Sequence, residues 1–199
     1  MKIIGITGGV GSGKSRVLSY IEETYSCTIC QADHVAWELQ KPGESGYVQI
    51  VEYFGKKVLN EDQTLNRKAL GEIVFSNEKE LHRLNEIMHP AVKTRICELI
   101  TEHKQRGTKL FVLEAALLIE EHYDEICDEL WYIYTDEQNR RERLKISRGY
   151  SDEKIDSMMK TQLSEEMFRK KCKVVIDNSR DFEYTCVQIQ EAIKKLEII

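Results

Sequence analysis

Hydrophobic and polar positions along this chain follow two alternating patterns. Five short runs are dense in aliphatic, aromatic and β-branched residues: Lys2 to Thr7, Cys27 to Ala32, Lys109 to Glu114, Leu130 to Thr135 and Lys173 to Asp177. Each has the length and composition of a strand. Between most of them apolar residues recur at helical spacing, as in Arg16 to Glu23, where Val17, Leu18 and Ile21 share one face. Strands separated by amphipathic helices form βαβ units, so the pattern predicts a three-layer α/β fold: a five-stranded parallel sheet, helices on both faces and right-handed crossovers. Phe182 to Leu196 reads as a closing amphipathic helix that packs on the core.

The alternation breaks once. From His34 to Thr108 the chain is too long for one crossover helix, and the turn Lys41-Pro42-Gly43-Glu44-Ser45-Gly46 lies near its start. An inserted helical subdomain, about residues 36–105, is expected within a single domain spanning residues 1–199.

Composition narrows the class. With 199 residues, 41% of them hydrophobic, and two prolines, the chain has the material for a full core. No apolar stretch approaches the roughly 18 residues that span a bilayer, and no charged-then-apolar leader precedes the first strand. A soluble, cytoplasmic protein without a membrane partner is expected. The formal charge of −5 argues against a nucleic-acid partner, so any anionic ligand must meet local basic clusters. Six scattered cysteines suit a reducing compartment rather than a disulfide framework. Cys27-Thr28-Ile29-Cys30 has the spacing of redox and zinc pairs, but on a strand that spacing sends the two sulfurs to opposite faces. No second pair or nearby histidines completes a tetrahedral site.

Candidate chemistry begins where the first strand ends. Gly8-Gly9-Val10-Gly11-Ser12-Gly13-Lys14-Ser15 satisfies G-x-x-x-x-G-K-[ST] between a strand and an amphipathic helix. Glycines let such a loop turn successive N–H groups toward phosphate oxygens, and the positive end of the following helix adds to the anion site. The expected ATP-binding set is Gly9, Val10, Gly11, Ser12, Gly13, Lys14, Ser15 and Arg16, with Lys14 on the β- and γ-phosphates and Ser15 on Mg²⁺.

Two carboxylates stand at strand ends, where α/β sheets bind ligands. Asp33 follows the second strand and has the chemistry to accept or orient the proton of an attacking hydroxyl; it also suits a helix N-cap. Glu114 closes the apolar run Leu110-Phe111-Val112-Leu113, in the manner of acids that position Mg²⁺ or its waters; a solvated strand-end acid is the alternative. Beyond the fourth strand, Arg140, Arg141, Arg143, Lys145 and Arg148 crowd into one helical segment of an acidic protein. That segment reads either as a lid, about residues 136–150, bringing arginines to a transferring phosphoryl group, or as a solvated face paired with Glu137 and Glu142.

Taken in order, these pieces resemble the dephospho-CoA kinase family. The resemblance covers most of the chain and rests on the strand and loop Ile4 to Ser15, on Ala32-Asp33, and on Leu65-Asn66-Arg67 with Val74-Phe75. His89-Pro90-Ala91-Val92, Glu114-Ala115-Ala116-Leu117-Leu118-Ile119-Glu120, Gln162 and Val175-Ile176-Asp177-Asn178 complete the set. It implies a P-loop kinase fold and ATP-dependent phosphorylation of the ribose 3′-hydroxyl of dephospho-CoA, the last step of CoA biosynthesis. It also implies Asp33 as base or hydroxyl-orienting group, Arg67 and His89 as substrate contacts in the inserted subdomain, and Arg143 with Arg148 as lid cations. Arg67 also suits a structural salt bridge, and His89, before Pro90, the end of a helix turn. Gln31 stands where the family carries an aspartate, Ala116 where it carries a proline, and Arg16 where threonine is usual. The family spaces two lid arginines four apart, but four after Arg143 is Ser147. Arg148 comes one residue later, about 100° further round a helix. Arg140 and Arg141 are the alternatives. Two other readings share the loop: another small-molecule P-loop kinase, acting on nucleosides or nucleotides, and a nucleotide-binding regulator without kinase activity.

Overall fold

In a computed structural model, described for residues 1–197, the five apolar runs pair into one sheet. They form β1 (Lys2–Thr7), β2 (Cys27–Gln31), β3 (Leu110–Glu114), β4 (Glu129–Tyr134) and β5 (Val174–Asp177), each bound within one residue of the run that predicts it. The order is β2-β3-β1-β4-β5. β1 lies parallel to β3 and β4, and β4 parallel to β5, with Ile6 opposite Glu114, Thr7 opposite Tyr132 and Tyr134 opposite Asp177. A strand buried on both faces needs apolar residues at consecutive positions, and β3 is buried along its whole length. Because the chain leaves β1 to one side first and to the other later, the crevice at the carboxyl end of β1 is the switch point where such sheets take ligands.

The chain divides into two compact units, one made of Met1–Ile29 together with the residues from His103 onward, the other of Cys30–Glu102. The first unit carries the sheet, apart from Cys30 and Gln31 of β2, with α1 (Lys14–Thr24), and the second carries α2 (Ala32–Glu38), α3 (Ser45–Phe54), α4 (Arg67–Ser76) and nearly all of α5 (Glu78–Gln105). The first unit continues through α6 (Glu137–Arg148), α7 (Asp152–Lys160), α8 (Glu165–Lys171) and α9 (Phe182–Lys194). Its core follows from strand periodicity. Ile4 and Ile6, Leu110 and Val112, Trp131 and Ile133, two apart on their strands, meet Val17, Leu18 and Ile21 of α1 and Ile189, Ala192 and Ile193 of α9.

In the second unit Ile50, Phe54, Leu70, Val74, Ile87, Met88, Val92 and Ile96 line the inner faces of α3, α4 and α5. The turn after α2 closes with the Glu44 N–H donating to the Lys41 carbonyl at 3.0 Å. α4 starts at Asn66, whose side chain accepts from the Ala69 N–H at 3.0 Å. One local expectation is corrected here. His89 does not end a helix turn: α5 continues through Pro90 over 28 residues. A proline deletes one backbone bond, and a helix this long, anchored by four buried apolar residues, tolerates the loss.

Ile133, fully buried in the central layer, sets a test of this packing. Ile133→Ala is expected to lower unfolding stability by about 2–5 kcal/mol in urea titrations; a variant as stable as the parent would remove Ile133 from the core.

Candidate active site

Residues 8–15 join the carboxyl end of β1 to α1 at the middle of the sheet. Gly13, directly before α1, has a φ of 84°, in the left-handed region, and a Cβ there would overlap the Asn178 amide. Both constraints select glycine. Helix α1 is fixed by its buried Val17, Leu18 and Ile21, so its amino end, with N–H groups that have no intrahelical acceptor, stays at the loop.

The loop is braced from outside. The Ser12 carbonyl lies 2.8 Å from the donating Asn178 Nδ2, 2.9 Å from the Thr135 hydroxyl and 3.4 Å from Arg143 Nη1. In a trans peptide the C=O and the following N–H point opposite ways, so tying the carbonyl to these donors turns the next N–H toward the loop interior. Thr135 and Asn178 sit directly after β4 and β5, so two strand ends hold the loop in place. Lys14 Nζ folds back onto the Gly8 carbonyl at 2.7 Å. Ser12 Oγ lies beside Gly8, buried and without a hydrogen-bond partner among the described residues. A polar ligand or water in the loop would relieve that cost.

The basic helix resolves residue by residue. α6 is capped by the Asp136 side chain, which accepts from the Asn139 N–H at 2.9 Å, and runs unbroken to Arg148, with Gly149 in the left-handed region after it. Arg148 therefore lies about 140° round the helix from Arg143; it is exposed, its guanidinium 5.9 Å from the Tyr150 ring. Arg141 turns outward to Glu137 at 2.8 Å and to Asp156. Arg143 reaches the loop through Ser12 and donates to the Asn178 carbonyl at 2.8 Å. Arg140 donates from Nε to the Val10 carbonyl at 2.8 Å and from Nη2 to Gln162 Oε1 at 3.0 Å. Arg140 is half-buried, and burial holds its pKa below the ordinary guanidinium value. No carboxylate pairs with it among the described residues. Desolvated and unpaired, it is a cation that gains from an arriving anion.

Glu114 closes β3 beside Ile6 and is only 9% exposed. Ser15 and Arg16 open α1 and are exposed; Arg16 stacks over Phe182, 3.9 Å from the ring centroid. Asp33 belongs to the second unit. It lies in the first turn of α2, inside the helix, and the N-cap position is Gln31, so the capping role is not the one it takes. Its carboxylate is exposed. Arg67 opens α4 and makes no salt bridge among the described residues; its guanidinium stands 5.8 Å from the Trp37 ring, which is 44% exposed and also has Lys41 Nζ at 4.3 Å. His89 is half-buried in the middle of α5. Strand patterns had no means of identifying Thr135 or Asn178 as braces, because their partner is a backbone carbonyl distant in sequence.

Four of the six thiols are chemically quiet. Burial pushes Cys27 and Cys30 up to about 11 and Cys127 and Cys172 up to about 12, so little nucleophilic thiolate forms near neutrality. Among the described residues no three His, Cys, Asp or Glu side chains group to hold a metal.

Comparison with known proteins gives concordant matches. The dephospho-CoA kinase family model matches residues 2–183. A dephospho-CoA kinase of Carboxydothermus hydrogenoformans is 36% identical over 195 residues, 98% of this chain and 94% of that protein. Among solved structures, one from Thermus thermophilus superposes with a TM-score of 0.80 at 26% identity, covering 98% of this chain and 97% of the other. The dephospho-CoA kinase from Campylobacter jejuni superposes with a TM-score of 0.74 at 23% identity, over 98% of both chains, a likeness of fold.

The brace predicts its own failure. Asn178→Ala removes two buried hydrogen bonds, the one from the Thr185 hydroxyl to Asn178 Oδ1 at 3.1 Å and the one from Asn178 Nδ2 to the Ser12 carbonyl at 2.8 Å, leaving that carbonyl to Thr135 and Arg143. Stability is expected to fall by about 1–3 kcal/mol, with weaker ATP binding by titration calorimetry. Unchanged affinity would separate the brace from nucleotide binding.

Proposed function

We propose, from the premise that this chain belongs to the dephospho-CoA kinase family, that the first unit carries the donor half of the chemistry and the second unit the acceptor residues. The reaction is ATP-dependent phosphorylation of dephospho-CoA at its ribose 3′-hydroxyl, giving CoA and ADP, the last step of CoA biosynthesis. Phosphoryl transfer needs little covalent chemistry from a protein. What it needs is an aligned nucleophile and neutralised charge on the moving group.

In the donor half, the loop amides and the amino end of α1 receive the phosphates, and Lys14 exchanges its bond to the Gly8 carbonyl for phosphate oxygens. Arg143 adds charge while bracing Ser12, and Arg140 supplies a cation bonded to the loop at Val10. The observation that carries this reading is Arg140 itself: a half-buried guanidinium, without a carboxylate partner among the described residues, bonded to a loop carbonyl. Burying such a charge is costly unless an anion shares the site. The exposed Ser15 hydroxyl and the Glu114 carboxylate make an all-oxygen set of the kind Mg²⁺ accepts, directly or through water. When bound, such an ion would supply charge neutralisation to the transferring phosphate.

In the acceptor half, Asp33 orients the attacking hydroxyl and takes its proton, a role open to it because the carboxylate is exposed and spends nothing on capping. Trp37, flanked by Arg67 and Lys41, offers a flat aromatic face beside two cations, which suits a substrate that joins a base to a pyrophosphate. His89 is a further substrate contact.

A coupled ADP-release assay tests the assignment. Turnover is expected with dephospho-CoA and not with adenosine or nucleoside monophosphates; preference for a monophosphate would replace the substrate. Lys14→Ala is expected to abolish turnover. Asp33→Asn is expected to cut kcat by about 10²–10⁴-fold while leaving ATP affinity nearly intact. Full kcat in that variant would remove Asp33 from the proton-transfer role.

A further inference from the structure

We propose that Gln162 is a positioning residue for phosphoryl transfer: its side-chain amide holds the Arg140 guanidinium in place at the phosphate loop. The proposal rests on the kinase reading above and adds to it a residue that touches neither phosphate nor hydroxyl.

Three hydrogen bonds close a ring. Gln162 Oε1 accepts from the Val10 N–H at 3.1 Å and from Arg140 Nη2 at 3.0 Å, and Arg140 Nε donates to the Val10 carbonyl at 2.8 Å. Both polar groups of one loop residue are thereby tied to one arginine, directly and through one amide oxygen. Holding a planar guanidinium at two of its nitrogens fixes its position and its plane, removing rotamer freedom that would otherwise be lost on reaching the transition state. The remaining donors of the fork have no acceptor among the described residues and stay available for an anion.

The surroundings fit this use. A Cβ on Gly9 would overlap the Arg140 guanidinium, so the loop leaves that space to the arginine. Gln162 is itself delivered by the basic helix. Arg141 pairs with Asp156, and Lys145 with Asp152 at 2.8 Å, stapling α7 to α6. The Gln162 N–H then bonds the Met159 carbonyl at 3.3 Å, at the end of α7. The choice of amide over acid matters as well. A glutamate at 162 would make the same two bonds but cancel the charge of the arginine it holds, whereas glutamine fixes the cation and leaves it charged.

The test is a double-mutant cycle on the full chain, read both as kcat with dephospho-CoA and as ATP affinity by calorimetry. Gln162→Met keeps length and removes the acceptor. It is expected to lower kcat by about 10- to 100-fold, with the KM for dephospho-CoA and the melting midpoint little changed. Combined with Arg140→Ala it should be no slower than Arg140→Ala alone, since each variant removes the same held cation. Should the methionine variant aggregate, Gln162→Ser takes its place in the cycle. Wild-type kcat in the single variant, losses that multiply in the double variant, or tighter ATP binding on losing Gln162 would each overturn the proposal. The last result would make Gln162 a competitor of the nucleotide for the Val10 N–H. If the parent protein fails to turn over dephospho-CoA, the substrate assignment fails. The cycle on ATP affinity then decides for Gln162 alone: equal weakening in Arg140→Ala and the double variant supports the clamp, and independent effects overturn it.

Discussion

A phosphate loop has a conflict to resolve. It must point several peptide dipoles at one anion, yet the glycines that permit this geometry leave the loop free to relax out of it. In this chain the conflict is resolved at one atom, the Ser12 carbonyl oxygen, approached by Asn178, Thr135 and Arg143. Everything else at the donor site hangs on that point. The two strand-end residues carry the rigidity of the parallel sheet into the loop, and Arg143 carries in that of α6. With the carbonyl held, the peptide plane is held, and the N–H that follows it keeps its direction without a ligand to maintain it.

The same economy governs the basic helix. An acidic protein that concentrates arginines in one helix invites a single explanation for all of them, and the structure gives several. Arg141 and Lys145 are ion-paired to the next helix, Arg148 stays at the exposed end, Arg143 braces, and Arg140 is half-buried against the loop without an acidic partner among the described residues. Burial makes the difference. Exposed pairs contribute little and are screened by salt, whereas a half-buried cation at an anion site acts in a lower dielectric and responds strongly to what binds beside it.

The second unit reaches its chemistry by another route, leaving polar and aromatic groups uncommitted on its surface. Asp33 is not used as a cap, and Arg67 is not used in a salt bridge among the described residues. Trp37 is exposed to nearly half its extent. A large aromatic group left in solvent beside cations gains from an occupant.

Much of this protein is legible in its sequence. The strands, the three-layer architecture and the phosphate loop follow from local rules: alternation and apolar density define a buried strand, and glycine spacing defines a loop that can cradle phosphate. The family also shows in the ordered set of short motifs from Gly8 to Asn178. Which arginine meets the loop was not legible, since Arg140, Arg141 and Arg143 have the same chemistry and lie within one helical turn. The braces at Thr135 and Asn178 were hidden for the same reason, as was the continuity of α5 through Pro90, because each depends on a partner or a neighbouring turn and leaves no periodic trace. Local pattern determined the elements and the loop because backbone sterics and burial act between near neighbours in sequence. Only the tertiary structure decided which charge is desolvated and which carbonyl is held, because burial and long-range hydrogen bonds exist only once the sheet has brought distant residues together.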